Sequence, residues 1–174
     1  GETLLYPDIW KCVDHCRKLG LRSQLITNGL LLTEKNIDLL IQHPPNIFRV
    51  SAQSIHPEHH KPMRGIEVEF DTYINRVADC IAKLFDTEHG IEEIRTDLAV
   101  NDNRYLGIKG AGKYLKELFG ISEPGDPTIF SENPKTTKPH LVEFLKLIES
   151  KSTSFKFNED HLDNCLKQYY SPNT

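Results

Sequence analysis

The chain has 174 residues, enough to bury one ordinary hydrophobic core. Hydrophobic residues make up 38% and charged residues 26%, which excludes a disordered chain, and a net charge of −4 excludes the basic footprint of a dedicated nucleic-acid binder. No apolar run approaches the ~20 residues that cross a bilayer, and no signal-peptide pattern opens the chain. The cysteines Cys12, Cys16, Cys80 and Cys165 are too sparse for a disulfide framework, so a reducing, cytoplasmic setting is expected.

The first residues, Gly1-Glu2-Thr3-Leu4-Leu5-Tyr6-Pro7, have no initiator Met and read as a loop before a helix. The sequence is therefore expected to be part of a longer chain. Pro7 and Asp8 suit a first helical turn. Ile9, Val13 and Cys16, with Cys12 and Leu19 beside them, repeat at helical spacing, and Gly20 closes that helix. Residues 21–27 form a strand that stops on Thr27-Asn28-Gly29. Thr33 is an N-cap for a helix over 34–43, which buries Ile37, Leu40 and Ile41 and ends at Pro44-Pro45. Residues 47–51 form a second strand, stopping on Ser51-Ala52-Gln53-Ser54. Residues 57–65 are polar, histidine-rich and read as a loop or short helical turn. Phe70, Ile74, Val77, Ile81 and Leu84 mark a long amphipathic helix. After Gly90, residues 91–100 alternate as a third strand, ended by Asn101-Asp102-Asn103. A helix is expected within 106–119, stopped by Gly120. This alternation of helices and strands predicts an α/β fold with a parallel sheet and right-handed crossovers.

Beyond Gly120 the rhythm is lost. Residues 122–138 are rich in Pro, Ser, Thr and Lys, with a brief Thr128-Ile129-Phe130 run. Two helices follow, over 139–150 and Glu159–Tyr170. The expected division is a core over 1–120 and a C-terminal loop with two helices over 121–174.

Four polar clusters sit at strand ends or before a helix: Gly1-Glu2, Thr27-Asn28-Gly29, Ser51-Ala52-Gln53-Ser54 and Asn101-Asp102-Asn103. In a parallel sheet they would share one rim, where α/β proteins bind ligands. A carboxylate at Glu2 could accept from an ammonium group, and Ser51 and Gln53 could bond sugar hydroxyls. Taken singly, Asn28 and Asn101 also read as ordinary turn residues. Cys12 and Cys16 share one helix face, as a metal pair would, but no third ligand follows, and both are expected to face the core. His56, His59 and His60 have no matching ligand set nearby and read as a solvated loop. Lys109-Gly110-Ala111-Gly112-Lys113 lacks the full phosphate-loop pattern. Cys80 and Cys165 read as core.

As a set, Gly1–Pro7, Leu19-Gly20, Ile26-Thr27-Asn28-Gly29-Leu30-Leu31-Leu32, Arg49-Val50-Ser51-Ala52-Gln53-Ser54, His59-His60 and Met63-Arg64-Gly65 resemble the radical S-adenosylmethionine (SAM) superfamily over roughly residues 1–105. Thr3 stands where that family often has proline. The resemblance implies a partial (β/α)6 TIM-like barrel, parallel strands with outer helices, and a C-terminal helical extension. It implies that Glu2 contacts the SAM amino group and that Asn28 sits beside the cofactor. Ser51 and Gln53 would approach the ribose, Arg64 the carboxylate, and Asn101 the cofactor edge of the next strand. It further implies a [4Fe–4S] cluster on a Cys-x3-Cys-x2-Cys loop. This sequence has no such loop, so the cluster ligands are expected upstream of Gly1. The full-length enzyme would then generate a 5′-deoxyadenosyl radical that abstracts hydrogen from an unknown substrate, a small molecule or a peptide. A flavodoxin or ferredoxin would serve as reductant, and the fragment alone would be inactive. The alternative is a non-catalytic α/β half-barrel that binds a nucleotide-like ligand or a protein partner.

Overall fold

Three strands run parallel in the sheet, and burial alternates along the first two. The computed structural model describes residues 2–53, 68–99, 107–108 and 134–170. Strands β1 (Gln24–Thr27), β2 (Ile47–Gln53) and β3 (Glu93–Ala99) lie in that order and run parallel. Leu25, Thr27, Phe48, Val50 and Ala52 point to one face and are at most 1% exposed. Gln24 and Ile26 are exposed, and Ile47, Arg49 and Ser51 half-buried, on the other. Successive strand residues point to opposite faces, so one face is packed and the other stays open among the described residues.

Helices α1 (Ile9–Lys18), α2 (Glu34–Gln42) and α3 (Phe70–Asp86) precede the three strands in turn. Val13, Ile37, Leu40, Val77 and Ile81 bring their apolar stripes into one cluster with Phe48 and Val50. Thr33 caps α2, its Oγ1 accepting from Asn36 N at 3.3 Å, and Glu69 caps α3, accepting from Thr72 N at 2.7 Å. The Thr72 hydroxyl, then this amide, hold the Glu69 carboxyl below its ordinary pKa. At the amino ends of the strands, Asn46 Oδ1 accepts from Ser23 N at 2.9 Å while its Nδ2 donates to Glu92 at 2.7 Å. Ser23 N–H is thus spent on a side chain, and β1 begins at Gln24 rather than at residue 21. Among the described residues no helix is long and apolar enough to cross a membrane.

Several expectations change. A fourth strand, β4 (Gly107–Ile108), pairs antiparallel with β3, so the sheet is parallel only across its first three strands. The remainder of the helix expected within 106–119 lies outside the described residues, as do the 57–65 loop with its histidines, Asn101-Asp102-Asn103, the Lys109–Lys113 stretch, Gly120 and Thr128-Ile129-Phe130. On α1 the apolar stripe is narrower than its composition suggests. Cys12 is exposed, Cys16 only half-buried, and Leu19 is 60% exposed. At about 100° per residue, Ile9 and Val13 fall on one line facing the core, whereas Cys12 lies about 100° round from Val13 and Cys16 about 60°. The side chain of Cys165 lies outside the description.

Two helices follow, α4 (Pro134–Lys151) and α5 (Glu159–Tyr170). The first starts a turn or more before Pro139, which sits inside it. A proline costs a helix only the bond its nitrogen would have donated, together with some bending, and it does not have to be the first residue. Leu141, Phe144, Leu145 and Ile148 of α4 enter the same core as the sheet, against α3. Lys138 Nζ joins the two last helices, at 2.7 Å from Asp163 and 3.2 Å from Glu159.

One carboxylate ties the end of α3 to the turn after α4. Asp86, the last residue of α3, accepts from Ser154 N at 2.9 Å, Ser152 Oγ at 2.7 Å, Thr153 N at 2.7 Å, and also from Ser154 Oγ. The Ser154 hydroxyl, then the Thr153 amide and the Ser152 hydroxyl, hold this carboxyl well below the usual carboxylate range. The folded-state pKa is lowered, so the stabilisation is complete above the ordinary carboxylate pKa and is lost as pH falls toward the folded-state value. Asp86→Asn turns an amide nitrogen toward the loop donors. It is expected to lower the melting temperature at neutral pH and to flatten the loss of stability between about pH 5 and pH 2. Calorimetry across that range checks this, and superimposable pH profiles for variant and wild type would refute it.

Candidate functional site

At the carboxyl end of β1 an acidic side chain from the start of the chain closes over the strand. Glu2 immediately precedes a 3-10 turn (Thr3–Leu5) and caps it. Its Oε1 accepts from Leu4 N at 3.0 Å and from Thr27 Oγ1 at 2.7 Å, and its Oε2 accepts from Asn28 N at 2.7 Å. Thr3 Oγ1 donates to Ile26 O at 2.5 Å. A proline at position 3 has no hydroxyl with which to do so. The terminal turn is thereby strapped across the strand end by side chains on two successive residues. Thr27 is 1% exposed, and its hydroxyl both donates to Glu2 and accepts from Gly29 N at 3.1 Å. Asn28 Oδ1 accepts from Leu30 N at 2.9 Å, the local bond that lets asparagine turn a chain.

The turn needs glycine. Gly29 has φ +83°, a conformation that other residues rarely adopt. A Cβ there would also meet Tyr73 Cε2 at 3.2 Å, Tyr73 Oη at 3.3 Å and Val50 Cγ1 at 3.3 Å. Tyr73 rises from α3 beneath the rim and is 2% exposed. Its hydroxyl reaches Asn28 O at 3.1 Å and Ala52 O at 3.3 Å. The rims of β1 and β2 are therefore bridged from below by one side chain.

The residues expected to form a site are partly assembled. Glu2 and Asn28 are in direct contact, and the β2 end carrying Ser51 is joined to Asn28 through Tyr73. Gln53 is the last residue of β2, but its side chain, like Arg64 and Asn101, lies outside the description. Glu2 is more engaged than a simple ligand-facing carboxylate would be. A carboxylate offers about four acceptor positions. Leu4, Thr27 and Asn28 take three, two on Oε1 and one on Oε2, which leaves one on Oε2. That fits a group with N–H donors, such as the ammonium of an amino acid. The same donor chemistry does not suit an iron–sulfur cluster. Among the described residues no three Cys, His, Asp or Glu side chains come together, and Cys80 is buried, which pushes its thiol up to about 12. The reading of the sequence passed over Thr27 as a site residue and Tyr73 altogether. Thr27 stood in the quoted Thr-Asn-Gly run. Tyr73 carries no local signal beyond an aromatic on a helix face.

Gly29→Ala is expected to destabilise the protein by about 1–3 kcal/mol, the cost of a strained left-handed residue, before any shift of Tyr73 is counted. Chemical denaturation measures this, and a change below about 0.5 kcal/mol, typical of a neutral surface site, would contradict it.

Comparison with known proteins gives the family. The sequence profile of the radical SAM superfamily matches residues 1–91. An uncharacterized protein of Methanocaldococcus jannaschii is 31% identical over 121 residues, 68% of this chain and 41% of its own length. The chain thus spans less than half of that relative. Glu2, Asn28, Ser51, Gln53 and Arg64 fall inside the profile match, and Asn101 lies beyond it. More than half of the chain is covered, and the chain belongs to the radical SAM superfamily.

Proposed function

We propose that the full-length protein binds S-adenosylmethionine on the rim formed by the ends of β1 and β2. The observation that carries this reading is the Glu2 carboxylate, held beside Asn28 with an acceptor position on Oε2 to spare, within the part of the chain that matches the family. Glu2 accepts from the ammonium of the methionine half, and Asn28 lies alongside. Ser51 and Gln53 approach the ribose, Arg64 the carboxylate, and Asn101 the edge after β3. Bound there, SAM together with a [4Fe–4S] cluster held by residues outside this chain would supply radical chemistry for hydrogen abstraction from the substrate. The residues of this chain bind, orient and shield the cofactor, work that a protein performs for any reactive cofactor. In this reading the open sheet face lines the inside of a partial (β/α)6 barrel in a cytoplasmic enzyme, and a flavodoxin or ferredoxin is the reductant.

One observation favours a second reading. Glu2 is already bonded by three donors, which is what a purely structural strap requires. A half-barrel without a cluster, binding a nucleotide-like ligand or a protein partner, would keep that strap unchanged.

Anaerobic reconstitution of the full-length protein with iron and sulfide separates the two. A brown species that cleaves SAM is expected, and a colourless product that leaves SAM intact favours the binding module. In the reconstituted protein Glu2→Ala is expected to raise the SAM dissociation constant about tenfold, the worth of one charge-assisted hydrogen bond. Unchanged affinity by calorimetry would remove Glu2 from the ligand contacts.

A further inference from the structure

The β2 strand carries an irregularity at its rim. Ser51 pairs with Asp97 and Gln53 with Leu98, so Ala52 has no partner in β3. On the other side, the last pairing of β1 with β2 is Thr27 with Val50, one residue pair below. Ala52 is 0% exposed, so its carbonyl needs a donor. Tyr73 supplies it, at 3.3 Å. An extra residue in one strand bends that strand and re-aims the side chains around it, which is why such bulges gather at rims and binding sites. The same hydroxyl lies 3.1 Å from Asn28 O, where β1 has turned away. Its single proton is shared between the two carbonyls, and the peptide planes that follow them, leading into Gly29 and Gln53, are oriented together. In a trans peptide the N–H points opposite the C=O, so holding both carbonyls down toward Tyr73 turns the Gly29 and Gln53 amides the other way.

We infer that Tyr73 is a positioning residue of the rim: its hydroxyl holds the Asn28 and Ala52 carbonyls together, stabilises the β2 bulge, and sets the spacing between Asn28 and the Ser51–Gln53 edge that a bound nucleoside spans. The ligand half of this inference rests on the SAM-binding reading. Tyr73 touches no ligand itself. It lies beneath the rim and acts through the backbone of Asn28 and Ala52. Its ring also fills the space beside Gly29, so hydroxyl and ring serve separate purposes.

Tyr73→Phe keeps the ring and removes the donor. In the full-length, reconstituted protein it is expected to weaken SAM binding about tenfold, as loss of a buried hydrogen bond at a site does. Amide hydrogen exchange is expected to accelerate at Gly29 and Gln53 and not throughout the core. Both are measured well below the melting temperature of the variant, where a residue that only contributes stability leaves affinity unchanged. Equal SAM affinity with unchanged exchange at the two amides overturns the inference and leaves the SAM reading standing. If the wild type fails to bind SAM, the SAM reading falls, and exchange at Gly29 and Gln53 still decides whether Tyr73 holds the rim. Should Tyr73→Phe not fold, replacing Tyr73 with 3-fluorotyrosine keeps the shape and strengthens the donor. Slower exchange at the two amides then supports the inference, and unchanged exchange overturns it.

Discussion

A parallel strand that stops inside a protein leaves backbone groups without ladder partners, and each one buried away from water must find another. At the carboxyl ends of β1 and β2 that need is met almost entirely by side chains from distant parts of the chain. Glu2 and Thr3 take up the β1 end from above, and Tyr73 takes both strand ends from below. The rest of the rim follows from this. Thr27 can be buried because its hydroxyl is paired twice, and Gly29 is required because the chain must turn in the left-handed region against an aromatic ring.

The result is a rim whose polar groups are held in place by the protein's own side chains. Preorganised groups lose little freedom when they bind, so a set of ordinary hydrogen bonds can discriminate between ligands. Three acceptor positions of the Glu2 carboxylate are taken by Leu4, Thr27 and Asn28, so it ties the first turn to the end of β1. A carboxylate has about four such positions, so the strap leaves room for one further donor.

The C-terminal helices belong to the same core and are not a separate unit among the described residues. Leu141 and Leu145 of α4 are buried with the sheet residues, and Asp86 ties the end of α3 to the turn after α4. Tyr73 and Asp86 stand at opposite ends of α3, one under the rim and one under the C-terminal turn. This single helix therefore connects the site to the last third of the chain.

Most elements were legible in the sequence because burial along one element is periodic. Apolar spacing located α2, α3, β2, β3 and α5 to within a few residues, and local chemistry marked the start of α2 at Thr33 and the end of α1 at Gly20. The polar runs at the strand ends were legible too, since Glu2, Asn28 and Ser51 stand in short recognisable stretches. Which groups meet at that rim was not. Glu2 and Thr27 are 25 residues apart, and Tyr73 lies 45 residues from Asn28 and 21 from Ala52. No local pattern encodes a hydrogen bond across such separations. The antiparallel β4 and the outward turn of Cys12 escaped for the same reason. Composition says that a residue is apolar, and only packing decides which way it faces and which strand it joins. The sequence by itself determined the order of the elements and the chemistry available at the rim. Tertiary structure decided that one carboxylate and one phenol would hold it together, because only folding brings donors to backbone groups that the strands leave unpaired.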